Sequence, residues 1–208
     1  MDAFPASKRA KYSLIYRNLV AYRLILNILF WGRYKQRFKK VTSLIDPTQE
    51  KKVIELCFGD IYIAQWCKEQ GLDYIGFDIN PHFVSVAQKR GYCVNLVDLR
   101  AQASIPAGDV AIMMGSLYHF HDILGELVDK VMASCPRFII SEPIKNWASR
   151  DDALGRIARN SANAGRGEEF FRFNERSLLE ALENISRGKY HFSHTISGKE
   201  AIVDVRRK

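Results

Sequence analysis

Gly59 follows the apolar run Val53-Ile54-Glu55-Leu56-Cys57, and a glycine directly after a strand lets the backbone approach a ligand closely. A turn alone would also account for it. Asp78 closes the next apolar run, 19 residues further on. An acid about 20 residues past such a glycine, at a strand end, accepts hydrogen bonds from ribose hydroxyls. Its other reading is a cap on the helix entered at Pro81, but Asn80 can cap that helix without it. Asp98 ends a third run and either starts a turn or holds an amino group of a base. Gly115-Ser116-Leu117-Tyr118-His119-Phe120-His121-Asp122 then places a tyrosine, two histidines and an acid after a fourth run. A histidine titrates near neutral pH, so His119 is a candidate to take a proton from a hydroxyl or amine. Packing and helix capping are the alternative use of this segment. Glu142-Pro143 ends a fifth run, where it either lines a pocket or turns the chain. Arg166, Arg172 and Arg176 lie in or beside a late polar stretch and suit an anionic substrate, or simply water.

These residues need elements to hold them. Strand-like runs at 53–57, 74–78, 92–97, 109–114 and 137–141 alternate with helical patterns at 61–69, 83–89 and 121–134. Gly71 and Gly91 mark helix ends, and Pro81 suits a first helical turn. Such alternation predicts βαβ units and a parallel sheet buried on both faces. Right-handed crossovers then restrict the topology to a doubly wound α/β sheet. In such sheets, ligands bind outside the carboxyl ends of the strands, which is where all these residues fall. The end of the chain differs. Asn174 is positioned to cap a helix over 175–184, and two strand-like runs, 190–196 and 201–206, meet at Ser197-Gly198-Lys199-Glu200. That pattern predicts an antiparallel hairpin.

At 208 residues the chain suits one domain of ordinary size. Its net charge of +8 is unevenly placed. Residues 1–40 hold ten Lys/Arg against one acid, and the remainder holds 21 basic against 22 acidic residues. The segment 1–46 therefore reads as a separate basic helical piece, ahead of a domain over 47–208. Within it Ile15, Leu19, Tyr22, Leu26 and Leu29 keep one helix face apolar, and Gly32 breaks the helix. Its basicity attracts phosphate of lipid or nucleic acid, or is a solvated face. Arg17, Asn18, Arg23 and Asn27 interrupt the apolar stretch 14–31, which excludes a membrane span. Cys57, Cys67, Cys93 and Cys135 form neither a CxxC pair nor a zinc pattern with histidine. Reduced, partly buried cysteines fit a cytoplasmic location.

Together the segments resemble the class I S-adenosylmethionine-dependent methyltransferases over about residues 50–208. Glu55-Leu56-Cys57-Phe58-Gly59-Asp60 resembles the first motif of that family, E/D-x-G-x-G-x-G. Glu55 and the middle glycine match, while Cys57 and Ile61 replace the outer glycines. Tyr74–Asp78 is similar to the second motif, Val97-Asp98-Leu99 to the third and Met113–Phe120 to the fourth, and the final hairpin matches strands six and seven. The resemblance implies a Rossmann-like, mostly parallel seven-stranded sheet with a C-terminal antiparallel hairpin. It implies S-adenosylmethionine held by Glu55, Cys57, Phe58, Gly59, Asp78, Ile79, Asp98, Leu99 and Gly115. Tyr118 and His119 would face the methyl acceptor, with the N-terminal helices as a lid. Metal is not implied.

No Asn/Asp-Pro-Pro-Tyr signature of base-amine methylation is present, nor a Pro-Cys nucleophile for cytosine chemistry. The expected acceptor is a small or lipid-like molecule, with peripheral membrane contact through the basic N-terminal helix. Methylation of RNA or another acidic polymer is the rival reading. A cofactor-binding interaction subunit without catalysis follows it, and a nicotinamide oxidoreductase comes last because only one glycine of GxGxxG is present. Oligomeric state leaves no mark in the sequence.

Overall fold

Val53, Ile54 and Leu56 are fully buried and alternate across one strand, so both faces of that strand need cover. The computed structural model, which describes residues 19–101, 104–145, 171–186 and 188–208, supplies it. In chain order it contains α1 (Leu19–Leu29), α2 (Tyr34–Thr42), β1 (Lys52–Leu56), α3 (Tyr62–Gln70), β2 (Asp73–Asp78), α4 (Pro81–Lys89), β3 (Val94–Leu96) and β4 (Val110–Met114). A 3₁₀ turn, Leu117–Ile123, leads into α5 (Leu124–Ser134) and β5 (Arg137–Pro143). The helix α6 (Glu175–Ser186) and the hairpin β6 (Tyr190–Ser197) and β7 (Glu200–Arg207) complete the described chain.

The strand order is β3-β2-β1-β4-β5-β7-β6. The first five strands pair in parallel, β7 runs antiparallel to β5, and β6 pairs antiparallel with β7. β1 and β4 are neighbours although they are not consecutive, so the strand order reverses between them. That reversal opens a crevice at their carboxyl ends. Ile54, Leu56, Ala111, Met113 and Ile140 face a core completed by α5 and α6, through Leu127, Val131, Leu178 and Leu182. Val53, Val110, Ile112 and Ile139 face the other side, against α2 and α3. The expected seven-stranded sheet and its terminal hairpin are both present.

Local chemistry sets the ends. Gly71 terminates α3 at φ 67°, a left-handed cap that other residues resist. The Asn80 side chain accepts the His82 N–H and caps α4, with Pro81 in the first turn. The Asn174 side chain accepts the Ser177 N–H and caps α6 in the same way. The predicted helix over 121–134 proves to be two pieces, because Ile123 (φ −125°, ψ 24°) leaves helical geometry between the 3₁₀ turn and α5. The third strand is shorter than expected, Val94–Leu96 rather than 92–97.

The N-terminal helices pack on the sheet. Every third or fourth residue of α2 turns inward, so that Tyr34, Arg37, Phe38, Val41 and Thr42 are buried. Tyr34, Phe38 and Val41 join the core beside Ile63 and Ile112. On α1, Leu19 is buried and Tyr22 and Leu26 half-buried, as the spacing predicts. Val20, Leu24 and Ile28 stay exposed on its opposite face. Among the described residues no helix is long and apolar enough to cross a membrane.

Candidate active site

The turn after β1 is built around left-handed backbone. Cys57 has φ 55° and Gly59 φ 54°. Glycine adopts this region freely, whereas a residue with a Cβ pays about 1 kcal/mol or more. The strained residue is Cys57, which stands where the resembling motif carries its first glycine. Strain of this kind persists only where the surroundings fix it, and here they do. The Phe58 N–H bonds the Phe77 carbonyl at 3.2 Å. The Gly59 N–H bonds Asp78 Oδ2 at 2.8 Å, while Asp78 Oδ1 accepts the Asn80 N–H at 2.7 Å. Asp78 thus clasps the turns after β1 and β2 together at the crevice. Burial pushes its carboxyl up to about 6, and these backbone donors pull it partly back.

Glu55 has a different neighbourhood from the one its motif suggests. It is fully buried within β1 and accepts the Tyr74 hydroxyl at 2.6 Å. Burial holds it well above the usual carboxylate range, partly offset by Tyr74 and reinforced by Asp60 and Asp78. Gly76 makes the contact possible, since a Cβ there would stand 2.5 Å from the Tyr74 hydroxyl oxygen. Glu55 therefore braces the strand behind the turn.

The N-terminal helices lie over this turn. The Tyr22 hydroxyl oxygen stands 3.1 Å from the point a Cβ on Gly59 would occupy. Arg23 grips Asp60 through two nitrogens, at 2.9 and 2.6 Å, and the Tyr34 hydroxyl adds a third donor at 3.3 Å. The Asp60 side chain is fully inaccessible, so its charge depends on these partners. Arg37 of α2 is also buried and donates from Nε to Glu200 Oε1 at 2.6 Å. Its Nη2 is buried without a hydrogen-bond partner and would lie 3.1 Å from a Cβ on Gly115.

At the ends of β3, β4 and β5 the remaining candidates come together. The Asp98 side chain accepts the Arg100 N–H at 3.0 Å, which is the turn its sequence allows. Leu99 is buried in the core beside Phe77, and Ile79 is half-buried. Arg100 ties this turn to the 3₁₀ segment by reaching the His119 carbonyl and both oxygens of Asp122. That pair draws the Asp122 carboxyl down to about 2. Gly115, at φ 64°, ends β4 with its N–H on the Ser141 carbonyl. Tyr118 is buried, its ring 3.9 Å from that of half-buried His119 and 3.8 Å under the Arg172 guanidinium. Arg176 is exposed and pairs with Glu180 on its own helix, and Arg166 lies outside the described residues.

Glu142 emerges as a site residue that the sequence left undecided. Its carboxylate faces the 3₁₀ turn, where Oε2 accepts the Leu117 N–H at 3.0 Å. Burial pushes it up to about 8, against the pull of that N–H and of the Arg172 and Arg37 charges. Arg37 itself was hidden inside a basic run. The readable signal was its place on the apolar stripe of α2, between Tyr34 and Phe38. Among the described residues no cluster of His, Cys, Asp or Glu is arranged to hold a metal.

No family model matches this sequence, and no curated protein matches it either. Solved structures do. A mitomycin 7-O-methyltransferase superposes with a TM-score of 0.62 at 16% identity, over 94% of this chain and 60% of its own. A plantazolicin methyltransferase, solved with a plantazolicin analogue and S-adenosylhomocysteine, gives 0.68 at 11% identity, over 91% of this chain and 90% of its own. An rRNA methylase from Escherichia coli gives 0.60 at 12% identity, over 91% and 70%. The chain thus spans about three fifths of the first of these. What they have in common with it is the fold of the class I S-adenosylmethionine-dependent methyltransferases.

Proposed function

We propose that this chain transfers a methyl group from S-adenosylmethionine to a small-molecule acceptor. The observation that carries the reading is the turn Cys57-Phe58-Gly59, left-handed at both ends and clasped by Asp78 at the β1–β4 crevice. The residues present fit the cofactor. The turn offers a close backbone approach. Asp78, at the end of β2, is a buried acceptor for ribose hydroxyls. Ile79, Asp98 and Leu99 lie where the adenine would be held, Glu55 braces the turn from behind, and Gly115 leaves room at the end of β4. When bound, the cofactor supplies a methyl group already activated on a sulfonium.

The chain's own contribution is to position, to exclude water and to receive a proton. Tyr118 and His119 form the acceptor wall, as the sequence suggested. Glu142 is our assignment for the proton acceptor: it is buried at the same strand ends, and with a pKa of about 8 it is mostly protonated at neutral pH, so that its ionised form, gained as pH rises towards 8, takes the proton. His119 is the alternative. α1 and α2 act as the cover, with Tyr22 over Gly59 and Arg23 locking Asp60. Alignment in a water-poor crevice supplies the rest of the acceleration.

Calorimetric titration of the full chain with S-adenosylmethionine, S-adenosylhomocysteine and NAD tests the reading. Micromolar binding of both sulfur compounds, weakened at least tenfold by Asp78→Asn, is expected. Binding of NAD alone, or of none of the three, would overturn it.

A further inference from the structure

Beside the crevice, between the α1–α2 turn and the β6–β7 turn, lies a cavity of about 370 Å³. That volume falls in the range of small-molecule pockets. Its wall combines Phe30 and Trp31 with Arg33, Arg37, Lys40 and Lys199. The one acid on it, Glu200, is engaged by Arg37 Nε at 2.6 Å and by the Ser141 hydroxyl at 3.1 Å. Arg33 and Lys199 form no ion pair among the described residues. Lys199 Nζ stands 5.3 Å from the Trp31 ring centre, and the Arg37 guanidinium lies 4.0 Å from that of Phe30. Positive charge is therefore in excess here and is laid on aromatic faces.

Arg37 connects this cavity to the site. It lines the cavity, yet its Nη2 reaches the Gly115 turn at the end of β4 and has no hydrogen-bond partner there. Its Nε is taken by Glu200 and its Nη2 is enclosed at that turn, so Arg37 adds charge to the cavity while Arg33, Lys40 and Lys199 are the cations open to a ligand, and such cations hold carboxylate and phosphate. We infer that the cavity receives the anionic head of the methyl acceptor, a carboxylate or phosphate on an apolar or aromatic body. The head meets Arg33, Lys40 and Lys199 within the added positive charge of Arg37, and the body lies against Phe30 and Trp31. The far end of the molecule is then directed past Arg37 towards Gly115 and Glu142. A cavity of this size takes a small molecule; it has no room for a nucleic-acid duplex. This rests on the proposed function for the identity of the molecule as acceptor, while the anion site itself stands on the cavity.

The test titrates the full chain with 2-naphthoate, 2-naphthyl phosphate and the neutral 2-naphthalenemethanol, and repeats this with Lys199→Glu and Lys40→Ala. Lys40 is exposed and Lys199 half-exposed, so both variants leave the core intact. Saturable binding of at least one anion is expected, at least tenfold tighter than the alcohol and at least tenfold weaker in Lys199→Glu. The tighter of the two anions identifies the head group. Equal binding of acid and alcohol, no anion binding, or indifference to both substitutions would overturn the inference. S-adenosylhomocysteine titrated into the same samples separates the two claims. If it binds while the anions do not, only the anion site is wrong. If the anions bind while it does not, the anion site stands and the methyltransferase reading falls.

Discussion

Replacing Glu142 by glutamine should make this protein more stable at neutral pH and less active. The carboxyl rises from an ordinary 4.5 to about 8 because β5 carries it into the buried interior. Ionising it in the folded state is then about 5 kcal/mol costlier than in the unfolded chain. The sign follows from linkage. Below about pH 4.5 the group is protonated in both states, and folding loses nothing. Between pH 4.5 and 8 the unfolded chain releases the proton and the folded chain keeps it, so stability falls as pH rises. At pH 7 the loss is about 3 kcal/mol. Glutamine has nearly the same shape, keeps an oxygen for the Leu117 N–H and has no proton to lose. Urea denaturation should therefore show Glu142→Gln more stable than the parent by about 2–3 kcal/mol at pH 7, allowing for an imperfectly paired amide N–H. The gap should close at pH 4. Turnover should fall, because the proton acceptor is gone, while S-adenosylhomocysteine affinity holds. A variant that is less stable at pH 7, or whose stability gain does not change with pH, would refute a buried neutral carboxyl.

Four further substitutions, at three positions, probe the crevice. Arg23→Gln strips the inaccessible Asp60 of its main partner and should cost roughly 1–3 kcal/mol, with faster amide exchange across 19–42 as α1 loosens. Cys57→Gly should be within about 1 kcal/mol of the parent, since relief of left-handed strain offsets the looser unfolded chain. Cys57→Val should lose about 2 kcal/mol, because a branched side chain resists φ 55°; chemical denaturation distinguishes the two. Gly115→Ala places a methyl 3.1 Å from Arg37 Nη2 at a left-handed φ, and should lower stability by about 1–2 kcal/mol while shifting the Arg37 side chain, readable from its ¹⁵Nε resonance.

The sheet was legible because its strands are nearly continuous apolar runs, and some helix ends carried a residue with a local reason to be there. Gly71, Asn80-Pro81 and Asn174 each act in the structure as their chemistry requires. The hairpin was readable from two runs meeting at Ser197–Glu200. That Gly59, Asp78, Asp98 and Gly115 gather at one edge was readable for the same reason, since a parallel sheet brings the carboxyl ends of its strands together. Glu142 and Arg37 were not. Glu142 looks like a turn residue beside Pro143, and only tertiary burial turns its carboxyl into a neutral acid. Arg37 sits among five exposed or half-exposed neighbours of similar type or polarity, and charge counting treats it as one more surface cation. Only the placement of α2 against β4 and β7 separates it from them. The break at Ile123 had no sequence marker, because it lies where the 3₁₀ turn, fastened by Arg100 at His119 and Asp122, meets α5.

On the proposed function, the crevice at the carboxyl ends of β1 and β4 holds S-adenosylmethionine. A crystal structure grown with S-adenosylhomocysteine tests it most directly. The ribose should lie on the Asp78 carboxylate, the chain of the ligand along Cys57–Gly59 beneath Tyr22, and the sulfur should face Gly115. Ligand bound elsewhere, or a crevice that stays closed at saturating ligand with Tyr22 still against Gly59, would contradict it.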